Sequence, residues 1–224
     1  MLKTASVLPT AQVEYPDSDG KPMAESDTHR MQMTDALIYP LTEWFRGRDD
    51  VYVSGNMFLY YEEGSPRAVV APDVFVVFGV PNKARRVYKL WEEGQPPAVV
   101  FELTSKSTRR DDLVDKRFLY EELGVREYFL FDPLHEYLHP PLQGFRLDNH
   151  YYAPIATEQL DDGRWRMVSQ ELNLALHTQG QNLRLFDAQA NRYLLMPAEE
   201  VAARRAAEAE IARLRELLAQ RDNG

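Results

Sequence analysis

The sequence predicts an α/β domain, a sheet core flanked by helices, followed by a small antiparallel β extension and a C-terminal helix. Three observations predict it. Apolar residues recur at helical spacing in two stretches, runs of β-branched and aromatic residues lie around them, and the chain closes on a run of Ala, Glu, Arg and Leu.

Residues 1–24 carry Pro9, Pro16, Gly20 and Pro22 and read as an irregular lead-in. From Glu25 the pattern is helical: Met31, Leu37, Ile38, Leu41, Trp44 and Phe45 share a face up to Gly47, and Pro40 is expected to kink or divide that helix. Then the period becomes two. VYVSGNMFLYY (51–61), AVVAPDVFVVF (68–78) and AVVFELT (98–104) each read as a strand, with a long loop at 80–97 between the last two. A helix should follow from Thr108, a capping residue, to Gly124, which suits the left-handed terminal position. REYFLFDP is a buried strand stopped at Asp132-Pro133. Beyond Leu134, short runs such as GFRLDNHYYAPI, GRWRMVS and NLRLFDAQANRYLLMP form the antiparallel extension, in which nothing gathers chemistry. Residues 198–224 form the closing helix, with Val201, Ile211, Leu214 and Leu218 spaced for a short coiled coil that would join two copies.

Composition excludes several classes. The formal charge of −9 argues against a passive nucleic-acid coat, which gains affinity from excess Lys and Arg. Contact with nucleic acid must then be local. Lys83, Arg85, Arg86 and Lys89 form one patch, and Lys106, Arg109 and Arg110 another; either is also what a solvated surface looks like. No run of about 18 apolar residues suggests a membrane span, so a cytoplasmic location is the expectation. With no Cys there is neither a disulfide framework nor a thiolate metal site. There is no phosphate loop of the Walker type, no GxSxG elbow and no histidine pair at zinc spacing, since His135 and His139 stand in a proline-flanked turn.

What remains is VFELTSKSTRRDDLVDK (100–116). If the second and third strands pair antiparallel, Asp73 at the start of one lies beside Glu102 at the end of the other. Adjacent acids among valines and phenylalanines either share a proton or are neutralised by a cation, and oxygen donors select a hard one. Asp73 can also be read as a turn residue after Pro72. Glu102 is harder to explain away, because buried Glu is rare unless paired. On a wheel of about 100° per residue, Lys116 falls inside the apolar stripe of Leu113, Leu119, Tyr120 and Leu123. It either snorkels, pairs with Asp112, or aims its ammonium at the acids.

APDVFVVF, VVFELTSKSTRRDD and DKRFLYEELGVREYFLFDP, in that order, closely resemble the Uma-two family, a branch of the PD-(D/E)XK nuclease superfamily, over roughly residues 20–195. The resemblance implies a restriction-endonuclease-like mixed sheet flanked by helices across residues 25–197, with Mg²⁺ or Mn²⁺ as cofactor and nucleic acid, DNA foremost, as partner. It implies that Asp73, Glu102 and the Leu103 carbonyl hold the metal and that Asp73, Glu102 and Lys116 are catalytic. Thr104 stands where the motif's lysine is expected; Lys116 replaces it from the following helix, as in similar family members, and Lys106 competes for the role. Glu25, His29 and Thr104 are candidates for an outer shell. Arg85, Arg86, Lys106, Arg109 and Arg110 are candidates for phosphate contacts. A metal-dependent nuclease is the function so implied. The alternative is a non-catalytic scaffold of the same fold that binds protein or nucleic acid.

Overall fold

The computed structural model describes residues 13–18, 26–105 and 108–222. Helix α1 (residues 27–44) joins three segments, Asp27–Met31, a π-helical Gln32–Ile38 and Tyr39–Trp44. Ser26 caps it by accepting from the His29 amide at 3.1 Å. Pro40, expected to kink or divide this helix, does not end it. Ile38 and Tyr39 keep helical dihedrals, and Pro40 falls in the first turn after a π segment, where the missing N–H costs no α-type bond.

The first two strands predicted from sequence each break in two. The first gives β1 (Val51–Ser54) and β2 (Leu59–Tyr60); the second gives β3 (Val69–Val70) and β4 (Val74–Phe78). The two breaks face each other. A Cβ at Gly55 would lie 2.0 Å from the Asp73 carbonyl oxygen, so only glycine lets the chains approach this closely. Asn56, at φ 49°, then turns the chain away and donates its amide to the Pro72 carbonyl at 2.9 Å. The loop predicted at 80–97 is also partly ordered: β5 (Tyr88–Lys89) joins β3 and β2 in a small sheet, and a short helix α2 (Leu90–Glu93) ends at left-handed Gly94.

After β6 (Val99–Leu103), Ser105 rather than Thr108 occupies the cap position. The Ser105 amide donates to Thr108 Oγ1 at 3.0 Å and the Thr108 amide to Ser105 Oγ at 3.4 Å, a reciprocal capping box. Helix α3 (residues 109–122) starts at Arg109 and Arg110, runs through a π segment, Asp111–Asp115, continues as Lys116–Glu122, and gives way at Gly124, whose φ is 78°. It crosses over to β7 (Glu127–Phe131), which lies parallel to β6. The hairpin β8 (Leu142–Asp148) and β9 (Tyr151–Pro154) extends this central sheet, whose order is β1-β4-β6-β7-β8-β9. The sequence assigned that hairpin to the antiparallel extension; Asn149 and His150, both at positive φ, turn it tightly enough to stay in register beside β7.

The extension itself is a second, five-stranded antiparallel sheet: β10 (Glu158–Gln159), β11 (Trp165–Ser169), β12 (Leu174–Gln179), β13 (Asn182–Asp187) and β14 (Arg192–Tyr193). It is part of the core rather than an appendage. Met167, Leu174, Leu176, Leu183 and Leu185 join Leu37 and Leu41 of α1 against Val74, Val76, Phe101 and Phe129 on one face of the central sheet. On the other face Phe75, Val100, Tyr128 and Leu130 pack under Tyr120 of α3 and Tyr88 of β5. At the start of β7 the fully buried Glu127 ties the sheets together, accepting from Arg146 of β8, from the Ser169 hydroxyl and from the Gln170 amide.

Helix α4 (Pro197–Asp222) leaves this body. Its first turn is held by Arg184 on Glu199 at 2.7 Å and by Tyr39 donating to Glu200. Val201, Ile211, Leu214 and Leu218 are exposed. Among the described residues no helix is long and apolar enough to cross a membrane.

Candidate active site

Antiparallel register pairs Val74 with Phe101 and Phe75 with Val100. Continued by one residue, it sets Asp73, just ahead of β4, opposite Glu102, and alternation puts both side chains on the face that α3 covers. The first acid is fixed by its neighbours: Asp73 Oδ2 accepts from the Leu103 amide at 2.7 Å, and Oδ1 lies 3.2 Å from His29 Nε2. The second is enclosed. Glu102 is 1% exposed, with the Tyr120 hydroxyl donating to Oε1 at 2.7 Å and Lys116 Nζ to Oε2 at 2.8 Å. Lys116 Nζ is also 3.0 Å from Oδ1 of the buried Asp112. Two buried carboxylates therefore share one ammonium.

That imbalance governs the protons. Burial pushes Glu102 up to about 8, against the pull of Lys116 and with the repulsion of Asp73 and Asp112. Burial raises Asp112 as well, again against Lys116. For Lys116 burial opposes the charge, but Glu102 and Asp112 outweigh it and hold the pKa above the ordinary lysine range.

Among the described residues no group of three His, Cys, Asp or Glu side chains is arranged to hold a metal ion. Two carboxylates and a backbone oxygen are nevertheless a donor set suited to a hard cation such as Mg²⁺, which keeps several waters. Two buried acids on a single ammonium are compatible with such an ion. Side chains of Asp73, His29 and Lys116 are 19%, 22% and 24% exposed, so the cluster opens to solvent at the strand ends.

The profile of the Uma2 family, described as "Putative restriction endonuclease", matches residues 6–195. The chain belongs to this family. Among solved structures it is similar to "a putative nuclease belonging to DUF820" from Anabaena variabilis, at 11% identity and a TM-score of 0.45, over 63% of this chain and 76% of that one. No curated protein matches.

In this Uma2 chain the ammonium beside the second acid comes from α3. Thr104, just past the end of β6, is buried, and its hydroxyl finds no hydrogen-bond partner among the described residues. Of the cationic candidates, Arg85 does not join the cluster. Its side chain is 3% exposed, forked onto Glu93, bonded to the Lys83 and Pro81 carbonyls and stacked on Tyr52, at the far end of β4 from Asp73. Arg86 is exposed and pairs with Asp17. Arg109 and Arg110 are exposed in the turn that opens α3. Glu25 and Lys106 lie outside the described residues. Sequence reasoning missed Tyr120 as a polar partner of Glu102, and took Asp112 only as a helix neighbour of Lys116. The signal was the spacing: Asp112, Lys116 and Tyr120 recur every fourth residue on one face.

Proposed function

We propose that this Uma2 chain is a metal-dependent endonuclease that hydrolyses phosphodiester bonds, with DNA as its substrate. The convergence of Asp73, Glu102 and Lys116, remote in sequence, carries the reading. Asp73, Glu102 and the Leu103 carbonyl would hold Mg²⁺ or Mn²⁺. When bound there, the cation supplies Lewis-acid stabilisation of the phosphate and a water of lowered pKa. Lys116 places its charge at the acids' edge, where it can steady negative charge developing on the phosphate. His29 and the Leu103 amide hold Asp73 in place. Arg109 and Arg110 offer phosphate contacts beside the start of α3, and Arg86 can offer another once it leaves Asp17; such contacts position a strand without reading its sequence. The exposed apolar positions of α4 support pairing of two copies.

The test is cleavage of supercoiled plasmid and of single-stranded DNA with Mg²⁺ or Mn²⁺. Asp73→Ala, Glu102→Ala and Lys116→Ala should each be inactive, and activity equal to wild type in all three would refute the reading. The charge of −9 and Thr104 at the motif's lysine position favour a second reading, a non-catalytic scaffold. Such a scaffold would show no cleavage and no Mn²⁺-induced rise in Tm.

A further inference from the structure

Helix α3 meets the acids with a ladder. Asp112, Lys116 and Tyr120 stand four residues apart, and all three face Glu102 or the lysine bound to it. The top rung differs from the others. Tyr120 is fully buried, and its hydroxyl makes its hydrogen bond to Glu102 Oε1 while Lys116 takes Oε2. A carboxylate held by one donor can still swing about its terminal torsion, which is broad and weakly restrained. With two donors from successive turns of one helix, the plane is fixed. The helix is fixed in turn: the Tyr128 hydroxyl donates to the Asp112 carbonyl at 2.9 Å inside the π turn, and the Tyr120 and Tyr128 rings pack with centroids 5.1 Å apart. π turns of this kind are common at functional sites because they re-aim the side chains that follow.

We infer that Tyr120 is a positioning residue of the proposed nuclease site, setting the carboxylate plane of Glu102 by holding Oε1 while Lys116 holds Oε2. This rests on the nuclease reading above. Groups that orient a metal-binding carboxylate are worth roughly 10- to 100-fold in metal affinity or activity.

Tyr120→Phe removes one oxygen and keeps the ring, so the fold should persist. Two measurements test it: Mn²⁺ titration followed by Tm, and kcat and KM for plasmid cleavage. The variant should stay folded with a modestly lower metal-free Tm, since Glu102 Oε1 loses its donor, and should keep the KM, while its Mn²⁺ midpoint rises and its kcat falls, each by about tenfold. Asp112→Asn probes the bottom rung: it leaves Tyr120 on Glu102, and should lower kcat with a smaller change in the Mn²⁺ midpoint. A wild type that responds to Mn²⁺ beside a Tyr120→Phe variant with the same midpoint would overturn the assignment of Tyr120 alone. A wild type with no response to Mn²⁺ and no cleavage would overturn the nuclease reading and this assignment with it.

Discussion

The Leu103 amide donates to Asp73 Oδ2 at 2.7 Å, so the acid that precedes β4 is fastened to the strand carrying Glu102. The bond continues the β4–β6 ladder through a side chain after the backbone pairing has ended. Asp73→Asn can retain that bond through its carbonyl oxygen and should fold. Its Mn²⁺-induced rise in Tm should nevertheless be lost, because the charge is gone.

Lys116 sits between two buried carboxylates, and removing one partner of a buried pair typically costs about 3–5 kcal/mol. Lys116→Met should therefore lower metal-free stability by an amount near that range. Adding Glu102→Gln should restore part of the loss, a coupling that urea denaturation of the four chains in the cycle would read out.

Glu102 gives a pH signature of definite sign. Its folded pKa, raised to about 8 from 4.5 chiefly by burial, makes its contribution to stability fully present below 4.5 and lost as pH rises through 8. Metal-free Tm should fall over that window relative to Glu102→Gln. The Mn²⁺-induced gain should grow over the same window, since the ion competes with the proton.

His177 gives the opposite window. Burial, aided by Arg164 and Arg166, lowers its pKa from 6.5 to about 4, and its Nδ1 lies 2.9 Å from the Tyr193 hydroxyl. The folded state gains from neutral His177 fully above 6.5 and loses that gain as pH falls through 4. Tm of wild type should drop more steeply over this range than that of His177→Gln.

Gly55→Ala should damage the site from outside it. The added methyl would meet the Asp73 carbonyl oxygen at 2.0 Å, and relief requires the Asp73 backbone to move. Overpacking costs about 1–3 kcal/mol, and the displaced Asp73 should also weaken the Mn²⁺ response. A variant with wild-type Tm and Mn²⁺ midpoint would show that the close approach is dispensable.

The antiparallel partnership of residues 74–76 with 99–101 was legible in sequence because β-branched runs of matching length flank one loop, and the inward turn of Lys116 because helical period is regular. The splitting of two strands was not, since Gly55 and Pro72 reveal their bend only when brought face to face. Tyr120 was hidden by its ring, which satisfies an apolar stripe whatever its hydroxyl does. Arg85 misled for the converse reason: a guanidinium looks the same in sequence whether its donors are free or, as here, committed to Glu93 and two carbonyls.

Glu127 and Glu102 stand at opposite ends of the paired strands β7 and β6, and their surroundings divide the molecule's labour. Around Glu127 every demand is met locally by Arg146, Ser169 and Gln170. Around Glu102 the charges are left out of balance. Substitution should accordingly act differently at the two poles: at the Glu127 pole each loss leaves a sheet-to-sheet tie broken, whereas at the Glu102 pole the loss of one charge can be offset by removing its partner.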